Sequence, residues 1–272
     1  MKFHVFIAAL LMLLTIGCSS DGDQSAAGKP ARLIVFAAAS LQDVIMEIGQ
    51  SYEESHPVDI TYNFAGSNVL ARQLVAAPKA DVYLSASEQW MDYVQNAGLL
   101  LEGSRRTFLS NSLVVIANKN SQWKLDRPAD LASLEYKYLS LANPEAVPAG
   151  QYAKSWLESI SVDGETLWER VKDRVAPGPD VRAALGLVEA ETNILGIVYR
   201  TDAAMSDEVK ILYEVPTEQG PPIRYAAAVL RNRSAGRVAR DFLAFLDSPE
   251  AAAIFEKYGF IPLDPSKEQS HD

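Results

Sequence analysis

Cysteine and histidine are scarce in this chain of 272 residues. Cys18 is the only cysteine, so the chain can form no internal disulfide and has no group of thiolates to hold a metal ion. Of the three histidines, His4 and His271 lie near the two ends and only His56 lies in the body of the sequence. A carrier that binds a metal cation through Cys and His ligands is therefore not favoured.

The pattern of a serine hydrolase is also missing. No G-x-S-x-G segment occurs, and a nucleophilic serine would need a general base that only His56 could supply as an imidazole. Paired carboxylates occur at Glu53 and Glu54 and at Glu189 and Glu191, a spacing that is typical of solvated helix surfaces. We therefore expect no enzyme activity and no resident cofactor.

An excess of basic residues is the next absence. The formal net charge is −10, with acidic and basic residues interspersed along the chain. A nucleic-acid-binding surface or a polybasic membrane patch would require clustered Lys and Arg, so neither is indicated. Because 48% of the residues are hydrophobic, the chain can bury a core as one large domain or two small ones.

One long apolar run is present, at residues 5 to 16, and it ends just before Cys18. It is too short to span a bilayer comfortably and has the form of a secretory signal, so we expect export. A cysteine at this point is typical of a lipobox, although Thr15 departs from the usual leucine. We expect lipidation of Cys18 and a membrane-anchored lipoprotein of the periplasm or cell envelope; the alternative is an ordinary cleaved signal with a chance cysteine.

The body of the chain alternates between strand-like and helix-like segments. Strands are predicted at 33–37, 58–64, 81–85, 113–118, 138–143, 196–200 and 209–215, and helices at 41–54, 68–77, 150–160, 180–191, 234–246 and 249–257. This alternation predicts two small α/β lobes, each with a mainly parallel sheet flanked by helices. Open sheets of this kind bind ligands beyond the carboxyl ends of their strands.

Small residues stand at two strand-to-helix junctions in the first half. Ser40 follows three alanines, and Asp43 three residues later has the spacing of a capping box, so we expect a helix to begin at Ser40. Ser67 follows Gly66 at a similar junction. Helix starts have N–H groups without partners and a partial positive charge, so two that converge form a plausible site for an anion.

The second half offers matching junctions. Pro148 stands near the first turn of a predicted helix, with Ala149 beside it. Asp180 is a candidate N-cap with Val181 next to it, and Tyr199 stands near the end of a strand. Taken singly, each feature is also common in proteins where it binds nothing.

Seven segments carry a family resemblance, in order from residue 36 to residue 260: FAAASL, NFAGSNVLARQL, ADVYLSASEQWMDY, NPEAVPAGQYAK, DVRAALGLVE, GIVYRTDA and AAAIFEKYGF. They are similar to segments of the periplasmic molybdate-binding proteins of ABC transporters. The resemblance implies a type II periplasmic-binding-protein fold of two lobes that closes on a tetrahedral oxyanion, molybdate or tungstate. It also implies delivery to an ABC permease by a protein that we expect to be a monomer.

Residue by residue, the resemblance places the family's ligand contacts on five positions: Ser40, Ser67, Ala149, Val181 and Tyr199. The serines would act through hydroxyl and backbone N–H, Ala149 and Val181 through backbone N–H, and Tyr199 through its hydroxyl. Arg182 is expected to point away from the ligand, toward an acid. The alternatives that remain are another oxyanion such as sulfate, and an oxyanion-sensing receptor that takes no part in transport.

The expected organisation divides the chain into a signal, a tether, two lobes and a tail. The predicted ranges are 1–18 for the lipoprotein signal peptide, 19–31 for a flexible tether, 32–112 plus 226–265 for lobe I, 113–225 for lobe II and 266–272 for the tail.

Overall fold

The computed structural model of the chain describes residues 30–231 and 236–263. The predicted signal peptide, Cys18, most of the tether and the tail lie outside these residues. Within them, no helix combines the length and the apolar character that a membrane crossing requires.

Helices and strands alternate along the described chain as the sequence indicates. The helices are α1 Gln42–Ser55, α2 Ser67–Ala76, α3 Glu88–Asn96, α4 Pro148–Glu158, α5 Leu167–Val171, α6 Val181–Ala190, α7 Arg200–Ala204, α8 Gly236–Phe245 and α9 Pro249–Lys257. The strands are β1 Ala31–Ala38, β2 Val58–Ala65, β3 Val82–Ser85, β4 Arg106–Ser110, β5 Leu113–Asn118, β6 Tyr138–Ala142, β7 Ser161–Val162, β8 Glu165–Thr166, β9 Val175–Gly178, β10 Ile194–Tyr199, β11 Val209–Glu214, β12 Tyr225–Val229 and β13 Ile261–Pro262. Short 3₁₀ helices occupy Ala39–Leu41, Pro128–Ala132 and Lys172–Arg174.

Two large sheets organise these elements, and the expected two-lobed α/β fold is confirmed. One has six strands in the order β13-β4-β12-β3-β1-β2, and the other has five in the order β11-β5-β10-β6-β9. The expectation that each sheet is mainly parallel is wrong in detail. β1 pairs in parallel with β2 and β3, and β6 with β9 and β10, whereas the pairs made by β4, β5 and β12 are antiparallel. An apolar run shows that a strand is buried on both faces but not its direction.

The chain passes between the two sheets twice. It leaves the six-stranded sheet after β4, reaches β5 through residues 111–112, and returns from β11 to β12 through residues 215–224. A chain that crosses twice between two lobes is the arrangement in which hinge motion about the crossing segments occurs. The lobe boundaries given above stay predictions.

Burial follows the periodicity of each element. On α1 the buried side chains include Val44, Ile45, Ile48 and Tyr52, which lie on one face of a helix. All residues of β5 and β10 are buried, as expected for strands paired on both sides and covered on both faces. This packing fixes the ends of the strands, and the candidate site lies at those ends.

Candidate oxyanion site

All five residues that the resemblance singles out line one small cavity between the two sheets. The cavity is narrow, with a volume of about 10 Å³, far below the range of about 300–1,000 Å³ that is usual for drug-sized ligands. Its lining comprises Ala38, Ala39, Ser40, Gly66, Ser67, Ala86, Val147, Pro148, Ala149, Asp180, Val181 and Tyr199. These residues follow the carboxyl ends of strands in both sheets, where open α/β sheets bind ligands.

Ser40 lies in the 3₁₀ turn Ala39–Leu41, and α1 begins only at Gln42. The predicted helix start at Ser40 and its capping box with Asp43 are therefore wrong. The Ser40 hydroxyl lies 3.1 Å from the hydroxyl of Tyr225, and the Asp43 carboxylate pairs with Arg182. Distant partners thus take both side chains away from the local cap that their spacing suggests.

Ser67 is the first residue of α2 and is only 1% exposed. Its hydroxyl oxygen accepts a hydrogen bond of 3.0 Å from the Ala86 N–H, and its carbonyl accepts one of 2.9 Å from Tyr83. Its own N–H, in the first turn of a helix, has no intrahelical acceptor. The absence of a side chain at Gly66 lets the other lobe approach, because a Cβ there would lie 3.2 Å from the Pro179 carbonyl oxygen.

Ala149 is the second residue of α4, which begins at Pro148 as expected. The N–H of Ala149 has no acceptor in its own helix, and the residue is buried. The next residue, Gly150, matters for packing. A Cβ at Gly150 would lie 2.0 Å from the Ala142 carbonyl oxygen, so glycine here permits α4 to pack against the end of β6.

Val181 opens α6, and the predicted N-cap Asp180 is confirmed. The Asp180 carboxylate accepts a hydrogen bond of 2.9 Å from the Ala183 N–H. The N–H of Val181 keeps no intrahelical partner and belongs to a residue of the cavity lining. Asp180 lines the cavity as well, and its capping bond commits one of its oxygens to the helix.

Tyr199 is the last residue of β10 and is 1% exposed. Within the described part of the chain, its hydroxyl has no hydrogen-bond partner. Burial raises the pKa of Tyr199 well above its usual value, so the hydroxyl keeps its proton. A buried, unpaired donor at a cavity wall costs free energy, and a ligand acceptor would remove that cost.

The lining contains no Lys, Arg or His. Arg182, next to Val181, is not part of it and pairs with acids as expected: Nη2 lies 2.5 Å from Asp43 and Nε lies 2.6 Å from Asp202. Burial opposes the charge on Arg182, but the two aspartates raise its pKa. Burial raises the pKa of Asp202 to about 7, which Arg182 opposes.

Three residues near the site were missed by the sequence analysis. Tyr225 and Asn111 lie behind Ser40, with Asn111 Nδ2 3.2 Å from the Tyr225 hydroxyl. Trp90 on α3 donates through Nε1 to the Ala146 carbonyl oxygen at 2.9 Å, which joins the two sides of the cleft. An aromatic residue that opens an otherwise alanine-rich buried strand, as Tyr225 does in YAAAV, is the signal that could have indicated the first of them.

His56 lies away from the cavity, where it stacks on Tyr52 with ring centroids 3.9 Å apart. Neither Ser40 nor Ser67 has a histidine as a hydrogen-bond partner in the described chain; their hydroxyls face Tyr225 and the Ala86 N–H. Across residues 30–231 and 236–263, no three His, Cys, Asp or Glu side chains gather in a group that could hold a metal ion. Apart from the Asp180 carboxylate, the cavity lining is uncharged, and it presents hydrogen-bond donors from both sheets.

Comparison with known proteins identifies the family. Residues 33–261 match the family of bacterial extracellular solute-binding proteins. The chain belongs to this family. Two relatives and one solved structure show how closely this solute-binding protein resembles known members.

The chain is 38% identical to the molybdate-binding protein ModA of Escherichia coli over 233 residues, which are 84% of this chain and 88% of ModA. It is 35% identical over 261 residues to YvgL of Bacillus subtilis, whose name describes an ABC transporter substrate-binding lipoprotein; the match covers 95% of this chain and 98% of YvgL. The periplasmic molybdate-binding protein of Azotobacter vinelandii superposes with a TM-score of 0.76 at 19% identity, over 85% of this chain and all of that structure. The resemblance predicted from the motifs is confirmed, and the last likeness confirms the fold.

Proposed function

We propose that this solute-binding protein captures molybdate or tungstate in the cavity between its lobes and delivers the ion to an ABC permease. One observation carries the proposal: Ser40, Ser67, Ala149, Val181 and Tyr199 are all buried and line a single cavity whose lining has no Lys, Arg or His. The identity to molybdate-binding relatives supports the choice of ligand.

Neutral donors can hold a dianion if they are numerous. The two serines would each give a hydroxyl and an N–H, Ala149 and Val181 an N–H each, and Tyr199 a hydroxyl, which makes about seven donors. A hydrogen bond to a charged group contributes about 1.5–3 kcal/mol, so the set would supply roughly 10 kcal/mol or more before the costs of association and closure. Submicromolar affinity is consistent with this sum.

The same donors would discriminate between tetrahedral oxyanions. Phosphate carries at least one proton near neutral pH, and the hydroxyl and N–H groups of the five residues would point donors at it in a closed cleft. Sulfate has no proton but shorter bonds, so several donors would lie too far from its oxygens and the partial losses would add up. We expect molybdate to bind about as tightly as tungstate, far above sulfate, with phosphate negligible.

Isothermal titration of the mature domain with molybdate, tungstate, sulfate and phosphate tests this order. Tight binding of the first two and weak binding of sulfate supports the proposal. Sulfate that binds as tightly as molybdate would move the protein to a different oxyanion, and binding of none of the four would remove the proposed function.

Anchoring belongs to the proposal as a separate element, since Cys18 lies outside the described residues. The lipobox-like segment and the lipoprotein name of YvgL support lipidation of Cys18. Membrane fractionation of wild-type and Cys18→Ser protein tests it. The wild type is expected with the membranes and the variant released or unprocessed; wild-type protein that is wholly soluble and unlipidated would remove the anchor and leave the binding proposal intact.

A further inference from the structure

Each serine hydroxyl of the proposed site has a hydrogen-bond partner that lies behind it, away from the cavity. Ser67 Oγ accepts from the Ala86 N–H at 3.0 Å, and a backbone N–H can only donate. Ser67 therefore has its own hydroxyl proton free for the cavity. Ser40 Oγ pairs with the Tyr225 hydroxyl at 3.1 Å, and here either oxygen could be the donor.

The direction of the hydrogen bond between Ser40 and Tyr225 follows from a series of hydrogen bonds that begins at a backbone N–H. The Ser112 N–H donates to Asn111 Oδ1 at 2.9 Å, which fixes the orientation of the Asn111 amide. Asn111 Nδ2 must then donate, and it reaches Thr201 Oγ1 at 2.9 Å and the Tyr225 hydroxyl at 3.2 Å. The Tyr225 oxygen is thus an acceptor from Asn111.

Tyr225 still has a proton to donate. The residue is 0% exposed, and burial raises the pKa of Tyr225, so the hydroxyl stays protonated. In the described chain its hydroxyl pairs with Ser40 and Asn111 at hydrogen-bond geometry. The Tyr199 hydroxyl is near enough for Tyr225 to contribute to its raised pKa, but it has no partner at hydrogen-bond geometry. Because Asn111 Nδ2 cannot accept, Ser40 Oγ receives the Tyr225 proton, and the Ser40 proton is left for the cavity.

We infer that Asn111 and Tyr225 are positioning residues that fix the Ser40 hydroxyl as a donor toward the cavity, and that this polarity selects oxyanions that carry no proton. The inference rests on the proposed function, which it deepens by naming what sets the selectivity. Asn111 lies in the first crossing between the sheets, so this series of hydrogen bonds links the crossing to the proposed site.

The energetic consequence is a penalty for any ligand with an O–H group. A proton-bearing oxygen at Ser40 would face a donor, and an unmade hydrogen bond in a closed site costs about 5- to 150-fold in affinity. If Tyr225 no longer donates, the Ser40 hydroxyl is free to rotate, so its proton can turn away from the ligand and its oxygen can accept the ligand's proton. Selectivity should then fall even where overall affinity changes little.

Selenate and arsenate provide a matched pair of probes at pH 8. Both are tetrahedral dianions of similar size under these conditions, and arsenate alone carries a proton. Their affinities are measured by displacement of molybdate from the wild type, Tyr225→Phe and Asn111→Asp, with thermal unfolding to establish that each variant is folded. The control is Tyr83→Phe, which removes a buried hydroxyl that bonds the Ser67 carbonyl and not the Ser67 hydroxyl.

The wild type is expected to prefer selenate, and the ratio of the two affinities is expected to fall roughly tenfold in Tyr225→Phe. Asn111→Asp should have the larger effect on this ratio. A carboxylate at position 111 accepts the Tyr225 proton, so the Tyr225 oxygen accepts from Ser40 and the direction of both hydrogen bonds is reversed. The added negative charge weakens the binding of both dianions. Only the ratio of the two affinities therefore reports the direction of the Ser40 hydrogen bond. Tyr83→Phe should leave the ratio unchanged.

Three results would overturn the inference: a wild type that binds both probes equally, an unchanged ratio in the two variants, or an equal fall in the control. Wild-type protein that fails to bind molybdate at all would instead overturn the proposed function, and the inference with it. The two failures are therefore distinguishable.

Discussion

Tyr199 contributes one replaceable atom to the proposed site. Its hydroxyl is buried and unpaired in the described chain, so Tyr199→Phe removes a donor for the ligand without breaking a bond within the fold. Molybdate should bind more weakly by roughly 1.5–3 kcal/mol, the value of a hydrogen bond to a charged group. Thermal unfolding without ligand should show equal or higher stability, because an unsatisfied hydroxyl is lost.

Titration calorimetry and ligand-free unfolding of Tyr199→Phe measure the two effects separately. A variant that binds molybdate as tightly as the wild type would show that the hydroxyl takes no part in binding. A large loss of stability without ligand would show a structural partner for it.

Asp202 gives the stability of the protein a pH dependence. It is 0% exposed, and burial raises its pKa from 3.8 to about 7 despite the nearby Arg182. The folded state therefore binds a proton that the unfolded state releases between about pH 4 and pH 7. The contribution of Asp202 is complete below pH 4 and is lost as the pH rises through 7, with a slope of up to about 1.4 kcal/mol per pH unit.

Urea unfolding of wild type and Asp202→Asn at pH 5 and pH 8 tests this direction. The wild type should lose stability between the two values, and the variant should lose less because its side chain cannot ionise. Asp59→Asn, at an exposed position of β2, should keep the wild-type slope. If the wild type gained stability relative to Asp202→Asn between pH 5 and pH 8, the result would contradict a raised pKa of Asp202.

At the scale of elements, α1 and α6 face each other across the cleft. Asp43 on α1 and Arg182 on α6 form an ion pair of 2.5 Å between helices that pack on different sheets. The pair can form only when the two sheets approach. Both side chains are partly exposed, so the pair should be worth about 1 kcal/mol, or roughly fivefold in affinity.

Asp43→Asn should speed the release of molybdate about fivefold and change the association rate little, because the pair acts after the cleft has closed. Stopped-flow kinetics measure both rates. Lys119→Met, which removes an exposed ion pair with Glu208 away from the cavity, is the control and should change neither rate. An association rate that falls while the release rate stays constant would contradict the inference that the Asp43–Arg182 pair stabilises the closed cleft.

Several elements could be predicted from sequence because their signals are local. The apolar runs at β1, β2 and β5 and the Pro148 and Asp180 helix starts agree with the structure within about two residues. β9 was missed because Pro177 and Gly178 argue against a strand, yet β9 lies at the edge of its sheet, where proline is tolerated. For α3, the segment contributed to the resemblance but was not assigned a helix.

The five proposed contacts could be placed by motif, but the groups behind them could not. Ser40 and Tyr225 are 185 positions apart, and Asp43 and Arg182 are 139 apart. No local pattern signals such partners, because tertiary packing alone brings them together. This is also why the capping box at Ser40 failed: its spacing is right, but a distant arginine binds the carboxylate.

At the scale of the whole molecule, closure is the expected consequence of binding. Donors on both sides of the cleft can reach one ion together only when the lobes approach, and Trp90 and Arg182 add contacts across the same gap. Saturating molybdate should therefore reduce the radius of gyration in small-angle scattering and raise the unfolding temperature. Identical scattering profiles with and without the ion, together with an unchanged unfolding temperature, would contradict closure.

A crystal structure of the mature domain with tungstate, in which anomalous scattering locates the tungsten atom, tests the proposed ligand and its site together. One strong peak is expected in the cavity, with the oxygens of the ion within hydrogen-bond distance of Ser40, Ser67, Ala149, Val181 and Tyr199. A tungsten peak outside this cavity, or an ion in it that contacts a different set of residues, would contradict the proposed site.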